Sequence, residues 1–427
     1  MLIQELYSIY LEHPSIQTDT RKLTNGDLFF ALKGPNFNGN KFAKQALDAG
    51  AAYAVIDEAA DFEDERLILT PDVLQTLQAL AKYHRQQFSI PFIAITGSNG
   101  KTTTKELVSE VLSSAFKTYT TKGNLNNHIG VPLTILSVKA DAAFAVIEMG
   151  ANHQKEIESY CQYTMPTHGI ITNIGKAHLE GFGGEAGVKK GKGELFDYLS
   201  KHNGTAFIMK DYVDLVKMSE TIAEVVTYGT TNADITGHAL KNTEFLQVAF
   251  SGGTNIQQIS TNLVGEYNLP NILVAVSVGK YFKVEEAAIK KALESYMPSN
   301  SRSQLVEKDT NKIILDAYNA NPTSMKAAIE NFAKMEGDDK VLLLGGMMEL
   351  GETSLQEHAD IVNLINQYKW KSVVLVGGDF EKIKNNFIYF NKSTEAKEWF
   401  NNQHFTSTRL LVKGSRSMQM EKIVEPD

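Results

Sequence analysis

The stretch Phe92-Ile-Ala-Ile-Thr-Gly-Ser-Asn-Gly-Lys-Thr-Thr-Thr-Lys105 carries the densest chemistry in the chain. Phe92 to Ile95 form an apolar run that reads as a buried parallel strand ending in a glycine turn. Beyond Lys101 the apolar residues Leu107, Val108, Val111, Leu112 and Phe116 recur at helical spacing. Strand, glycine loop, Lys-Thr and helix make a phosphate cradle. Backbone N–H groups point inward, the helix N-terminus adds positive potential, and Lys101 reaches the terminal phosphates. Gly97, Ser98, Asn99, Gly100, Thr102 and Thr103 complete the loop, with the Thr102 hydroxyl offered to a magnesium ion. The usual spacing, G-x-x-x-x-G-K-[ST], would put a glycine where this chain has Ile95; its first glycine is Gly97, so the loop is shorter. A nucleoside triphosphate is the expected ligand.

Further polar residues fall where strands should end, the place where parallel α/β sheets bind ligands. Glu148 closes the apolar run from Ala143 to Ile147, and a carboxylate there suits the magnesium that bridges a triphosphate better than it suits a solvated loop. His178 follows another strand end in the glycine-rich segment from Thr172 to Gly184. It is either a second metal ligand or a hydrogen-bonded structural residue. Lys189, Lys190 and Lys192 crowd what reads as a helix start, against the helix dipole. They read as a solvated basic turn, as phosphate contacts, or as a lysine that loses its proton in a dry site. Two asparagine-rich runs, one with Asn124, Asn126 and Asn127 and one with Tyr318, Asn319 and Asn321, offer several amides to a polar ligand, although asparagine also serves turns.

These residues need a large α/β scaffold. At 427 residues the chain exceeds one ordinary core, and about three domains are expected. The expected division is 1–88, 89–298 and 299–427, with the polar segment from Met297 to Ser303 as a linker. In the second unit, strands at 143–148 and 168–173 alternate with helices, as in a parallel sheet covered on both faces. Three further strands, at 341–344, 373–376 and 410–412, suggest a smaller open α/β unit. Hydrophobic content of 43% and charged content of 22% are those of a globular protein. No apolar stretch approaches a membrane span, and the segment from Met1 to Leu6 has no signal-like core, so a cytoplasmic location without membrane insertion is expected. Cys161 is the only cysteine, which rules out an internal disulfide. A net charge of -8 gives no general attraction to nucleic acid.

Taken together, these segments resemble the Mur ligases of bacterial peptidoglycan assembly. The resemblance runs nearly end to end. It is carried by 18–21 and 29–34, by 96–104, 123–132 and 148–151, by 173–181 and 192–196, and by 268–271, 316–322, 348–351 and 411–416. It implies a small N-terminal α/β domain for a UDP-sugar substrate, a central ATPase domain with a phosphate loop, and a Rossmann-like C-terminal domain. It also implies a branch of the family that joins D-alanyl-D-alanine to UDP-N-acetylmuramoyl-tripeptide through an acyl phosphate, with a monomer as the expected state.

By that resemblance Lys101 holds the β- and γ-phosphates, Thr102 and Glu148 bind one of two magnesium ions, and His178 binds the second. Lys192 matches a lysine carried as a carbamate, which would turn a repelling ammonium into a carboxylate-like ligand. Lys101, Lys192 and His178 are thus the expected catalytic group. Asn268 and Asn271 match positions near adenine, while Arg302 and Asp316 match contacts to phosphate and ribose. Tyr318, Asn319 and Asn321 belong around nucleotide and dipeptide; Thr18, Asp19 and Arg21 mark the UDP-sugar loop. Two places depart from the pattern: Gly346 replaces an aspartate, and Asn38 and Asn40 stand where Asp-Gly-His is common. The competing readings are a sibling ligase adding one amino acid, a folylpolyglutamate synthase, and a nucleotide-gated scaffold without catalysis. The run Thr102-Thr-Thr104 and the signature from Tyr318 to Pro322 speak against the first two.

Overall fold

The computed structural model describes residues 1–241, 243–298 and 301–425. The expected linker therefore lies partly outside the described residues, at Ser299 and Asn300, where the expected 298/299 boundary also falls. Three main sheets of four, nine and six strands organise the chain. The first runs in the order Ile16–Gln17, Leu28–Phe30, Tyr53–Ile56 and Leu67–Leu69, all parallel.

In the nine-stranded sheet the phosphate-loop strand Phe92–Thr96 lies between Phe144–Glu148 and His168–Ile171, parallel to both. Phe92, Ile93 and Ile95 are fully buried, each worth about 1.5–3 kcal/mol relative to exposure. The chain leaves this central strand toward Phe144–Glu148 on one side and returns to His168–Ile171 on the other. The loops after the three strands therefore open into one crevice, the usual ligand position in such sheets.

The second sheet is parallel across the strands from Thr118–Thr120 to Ile235–Ala239, as expected. Beyond Ile235–Ala239 the strands Gln247–Gly252 and Gln258–Ser260 pair antiparallel, so the sheet is mixed. These two outermost strands are half exposed and carry Gln247, Ser251, Gln258 and Ser260, so no long apolar run marks them. The third sheet likewise has six strands, where three were expected. It runs Gln304–Lys308, Asn311–Asp316, Arg409–Lys413, Lys340–Gly345, Ser372–Val376 and Ile388–Phe390, with the first pair antiparallel.

A second correction concerns the lysines. Their helix spans Glu185–Lys201, so Lys189, Lys190 and Lys192 sit inside it and do not oppose its N-terminal dipole. The glycines at 187, 191 and 193 obscure this helix in the sequence, since glycine is a poor helix former. Gly191 and Gly187 are there for space: a Cβ would meet Phe182, at 2.4 Å and 1.8 Å respectively.

The departures at Gly346, Asn38 and Asn40 have local physical reasons. A Cβ on Gly346 would lie 2.6 Å from the Gly378 Cα, so the two backbones touch. Asn40 Nδ2 donates to Asp57 Oδ1 at 2.8 Å and its Oδ1 accepts the Asp57 N–H at 3.0 Å. Asn38 donates to Glu58 at 2.9 Å, so both amides hold their loop to the first sheet.

The helix Val73–Arg85 joins the first domain to the second through a buried arginine. Arg85 Nε donates to Thr164 O at 2.9 Å, Nη2 to Met165 O at 3.1 Å and Nη1 to Phe88 O at 2.7 Å, while the guanidinium lies 3.9 Å from the Phe92 ring centroid. Burial lowers its pKa to about 10, so it stays charged at neutral pH. Replacing Arg85 with Ala strands these carbonyls and should destabilise the protein by about 3 kcal/mol. Thermal denaturation checks this, and an unchanged midpoint would show that the contact is idle.

Candidate active site

The phosphate loop owes its shape to two backbone conformations that favour glycine. Gly100, with φ of 78°, starts the helix Lys101–Ser113. Gly97 has φ of 138°, and a Cβ there would lie 2.0 Å from Thr172 Oγ1. The loop is then tied to its neighbour: Asn99 N–H donates to Asn173 Oδ1 at 3.0 Å, and Ser98 N–H to Asn173 O at 3.0 Å.

A cleft of about 1110 Å³ opens over this loop, lined by residues of the second and third sheets. Ser98, Asn99, Gly100, Lys101, Thr102 and Thr103 form one wall, with Asn124, Asn126, Asn127 and Glu148 beside them. His178, Asn268 and Asn271 lie further along, and Arg302, Asp316, Tyr318, Asn319 and Asn321 face them from the third domain. Gly97 lies beneath the loop and does not line the cleft. Nor do Thr18, Asp19 and Arg21: Asp19 forms a two-pronged pair with the exposed Arg21, at 2.9 Å to Nε and 2.8 Å to Nη2.

Charge in the cleft is unbalanced. Glu148 is 1% exposed; its Oε1 accepts from Asn126 Nδ2 at 2.7 Å and from Thr102 Oγ1 at 3.2 Å, while Oε2 is buried with no partner. An orphaned buried carboxylate oxygen beside a threonine hydroxyl fits a small hard cation. Lys101 Nζ donates back to Gly97 O at 2.7 Å and Ser98 O at 3.2 Å. Desolvation lowers its pKa to about 8, opposed by Glu148 and assisted by Arg302.

Lys192 does not line the cleft. It is 1% exposed, and its Nζ donates to Ala151 O at 3.0 Å and lies 4.9 Å from the Phe182 ring centroid. Burial first, and then the charge of Lys101, push its pKa well below the ordinary lysine value, against the pull of Glu156 and Glu194. Thus the solvated-turn reading does not hold for this lysine.

His178 adopts φ of 52°, and its Nδ1 is hydrogen-bonded to the carboxylate of Glu349 across the domain boundary. The His178 contact lowers the pKa of Glu349. Arg302 stacks on Tyr318, 3.7 Å from the ring centroid, with its Nε buried and unpartnered. Asn271 Nδ2 donates to Asn268 Oδ1 at 2.9 Å, and its Oδ1 accepts from Thr104 Oγ1 at 3.0 Å. Several cleft amides also do the local work that asparagine does in turns: Asn127 Oδ1 accepts the Gly130 N–H at 2.9 Å, and Asn319 Oδ1 accepts the Ala320 N–H at 2.9 Å. Among the described residues no cluster of three or more His, Cys, Asp or Glu forms a ready metal cage.

Comparison with known proteins adds the family. The Mur ligase middle domain model matches residues 95–279, the Mur ligase glutamate ligase domain model 301–416, and the Mur ligase family catalytic domain model 14–89. The UDP-N-acetylmuramoyl-tripeptide–D-alanyl-D-alanine ligase of Bacillus subtilis is 34% identical, over 96% of this chain and 92% of its own length. The chain belongs to the Mur ligase family. Among solved structures, MurF from Acinetobacter baumannii superposes on this Mur ligase with a TM-score of 0.90 at 29% identity, covering 99% of this chain and 97% of that one. MurF ligase from Thermotoga maritima, solved in complex with ADP, gives 0.86 at 26% identity, covering 97% of each.

The sequence reading of this Mur ligase missed several cleft residues. Lys413, 2% exposed on its side chain, donates to Asp316 Oδ2 at 2.6 Å. It ends the apolar strand Arg409–Lys413 as Glu148 ends Phe144–Glu148, so the same strand-end rule could have found it. Glu349 and Asp211 also line the cleft, but neither follows directly on an apolar strand.

Lys101 sets a pH signature. Its folded pKa of about 8 lies below the ordinary lysine value of 10.5, so between these values the unfolded chain holds a proton that the folded chain has released. Stability due to Lys101 therefore rises across that window, while below pH 8 the full cost of burying the charge remains. Without nucleotide, the wild type should gain on Lys101→Met by on the order of 2–3 kcal/mol as pH climbs from about 8 to 10.5. Paired melting curves measure this, and parallel curves would contradict it.

Proposed function

We propose that this Mur ligase joins D-alanyl-D-alanine to UDP-N-acetylmuramoyl-tripeptide, with ATP converted to ADP and phosphate. The observation that carries the reading is the unpartnered Glu148 Oε2 facing a lysine-threonine phosphate loop inside a cleft between two domains. The names of the Bacillus subtilis relative and its kin support the substrates, and the ADP complex of the Thermotoga maritima enzyme supports the nucleotide. Those relatives carry the dipeptide ligase name, which leaves the folylpolyglutamate synthase, single-amino-acid and scaffold readings without a specific observation in their favour.

The reaction runs in two displacements. A carboxylate oxygen of the tripeptide attacks the γ-phosphorus, the bond to the β-phosphate oxygen breaks, and ADP leaves with its electron pair. The dipeptide amine then attacks the acyl carbonyl, phosphate departs from the tetrahedral intermediate, and the amine proton is released. In such transfers the protein contributes mainly position and charge. Lys101 leaves its own loop carbonyls to meet the terminal phosphates, and Arg302, braced on Tyr318, adds a second positive group from the third domain. Asn268 and Asn271 frame the adenine side, and Asp316, held by Lys413, serves the ribose. Closure of the cleft around the substrates would keep water from the acyl phosphate.

Magnesium, when bound, would neutralise charge on the transferring oxygens. Thr102 and Glu148 would hold one ion. His178 would serve a second: with its Nδ1–H given to Glu349, its Nε2 lone pair is free to ligate. Lys192 is buried and readily deprotonated, and the neutral amine is the form that takes up carbon dioxide. As a carbamate it would add a negative ligand next to Lys101 and relieve the repulsion between the two lysines. Thr18, Asp19 and Arg21 would meet the UDP end of the substrate, and Asn124, Asn126, Asn127 and Asn319 the peptide or nucleotide.

Phosphate release measured with magnesium-ATP should require both UDP-tripeptide and dipeptide, and the product should show the mass of the pentapeptide. Turnover without dipeptide would sink the assignment. Glu148→Gln should lower kcat by about a hundredfold or more while leaving the fold intact. For Lys192, a carbon-13 carbamate signal from labelled bicarbonate should appear in the wild type and vanish in Lys192→Arg.

A further inference from the structure

The side chain of Asn321 makes contacts in two domains. Its Oδ1 accepts the Ser324 N–H at 2.9 Å, and Ser324 Oγ accepts the Asn321 N–H at 3.1 Å, a reciprocal cap on the helix Pro322–Lys334. Its Nδ2 donates to Asn99 Oδ1 in the phosphate loop at 2.7 Å. Capping needs only an oxygen acceptor, which serine, threonine or aspartate would supply as well. The amide donor is therefore not needed by the helix. It is directed wholly across the domain boundary, from a residue that is 8% exposed.

The same helix turn makes a second crossing. The Lys176 N–H donates to Thr323 Oγ1 at 3.0 Å. The neighbouring Gly175 is bonded twice to the phosphate loop, accepting from Ser98 Oγ at 3.0 Å and donating to it at 2.9 Å. Asn99 is fixed from below as well, since its carbonyl accepts from Thr172 Oγ1 at 2.6 Å. One continuous set of polar contacts thus links the loop that cradles phosphate to the first turn of a third-domain helix. The donor of Asn321 is its shortest direct link.

We propose that Asn321 is a positioning residue: its amide N–H locks the third domain onto the phosphate loop, and it is not a ligand for the incoming dipeptide. The proposal rests on the ligase reading above. It implies that the activated carboxyl and the attacking amine meet only when the two domains are in this register. The Asn321→Ser variant keeps the cap acceptor and removes the donor. It should leave the thermal midpoint and the KM of dipeptide unchanged and lower kcat on the order of tenfold, about the worth of one hydrogen bond. In an Asn99→Ala background the same substitution should have no further effect, because the shared bond is already gone.

An equal loss in both backgrounds, or a rise in dipeptide KM as the main effect, would overturn the proposal. If Asn321→Ser melts early, Asn321→Thr, a second capping residue without the amide donor, carries the same comparison. Wild-type turnover measured alongside separates the two claims. Its absence would remove the ligase reading, whereas an active wild type with additive losses removes only the interdomain lock.

Discussion

A carboxylate with one buried oxygen left unpaired, set near lysines that burial drives toward losing their protons, is the constraint around which this protein is organised. Glu148, Lys101 and Lys192 would not share a dry site for the sake of stability. Unpartnered buried charge costs several kcal/mol in an apolar interior. The fold tolerates it because the surrounding strands are packed densely enough to hold the groups in place, with Ala94, Ile95, Val146 and Ile147 fully buried around them. Function and strain therefore occupy the same atoms. The loop and its helix N-terminus are preorganised for the phosphates of ATP.

The second feature is the division of labour between sheets. The nine-stranded sheet supplies the phosphate loop and the carboxylate, both on loops that its central strands fix. The six-stranded sheet supplies groups that approach from outside: Asp316 tied to Lys413, Arg302 stacked on Tyr318, and Asn321 touching Asn99. Contacts of this kind are polar and few. Polar interdomain contacts can form and break, while the apolar core within each sheet remains intact. A reaction whose intermediate must be shielded from water needs that combination of rigid halves and a reversible seam.

Much of the site was legible along the chain because its residues follow apolar strands. The phosphate loop and Glu148 each sit at the end of such a run and line one cleft; Asp316, which came only with the family resemblance, lines it too and ends the strand Asn311–Asp316. The polar edge strands Gln247–Gly252 and Gln258–Ser260 were not legible, since an exposed strand needs no apolar signature. The helix Glu185–Lys201 was read too late because its glycines suppress the helical signal. There packing against Phe182 outweighs propensity.

Local chemistry in the sequence by itself determined that a triphosphate loop exists, which residues compose it, and that an α/β scaffold of several sheets must carry it. Strand, glycine turn and helix are neighbours in the chain, so their meaning survives without knowledge of the fold. What only the tertiary structure decided is which distant groups meet: Lys192 beneath the cleft against Ala151, His178 against Glu349, and Asn321 against Asn99. These partners are separated by tens to hundreds of residues, and no spacing rule connects them. Their pairing, and the burial that shifts the lysines, arise only once the sheets have packed and water has been excluded between them.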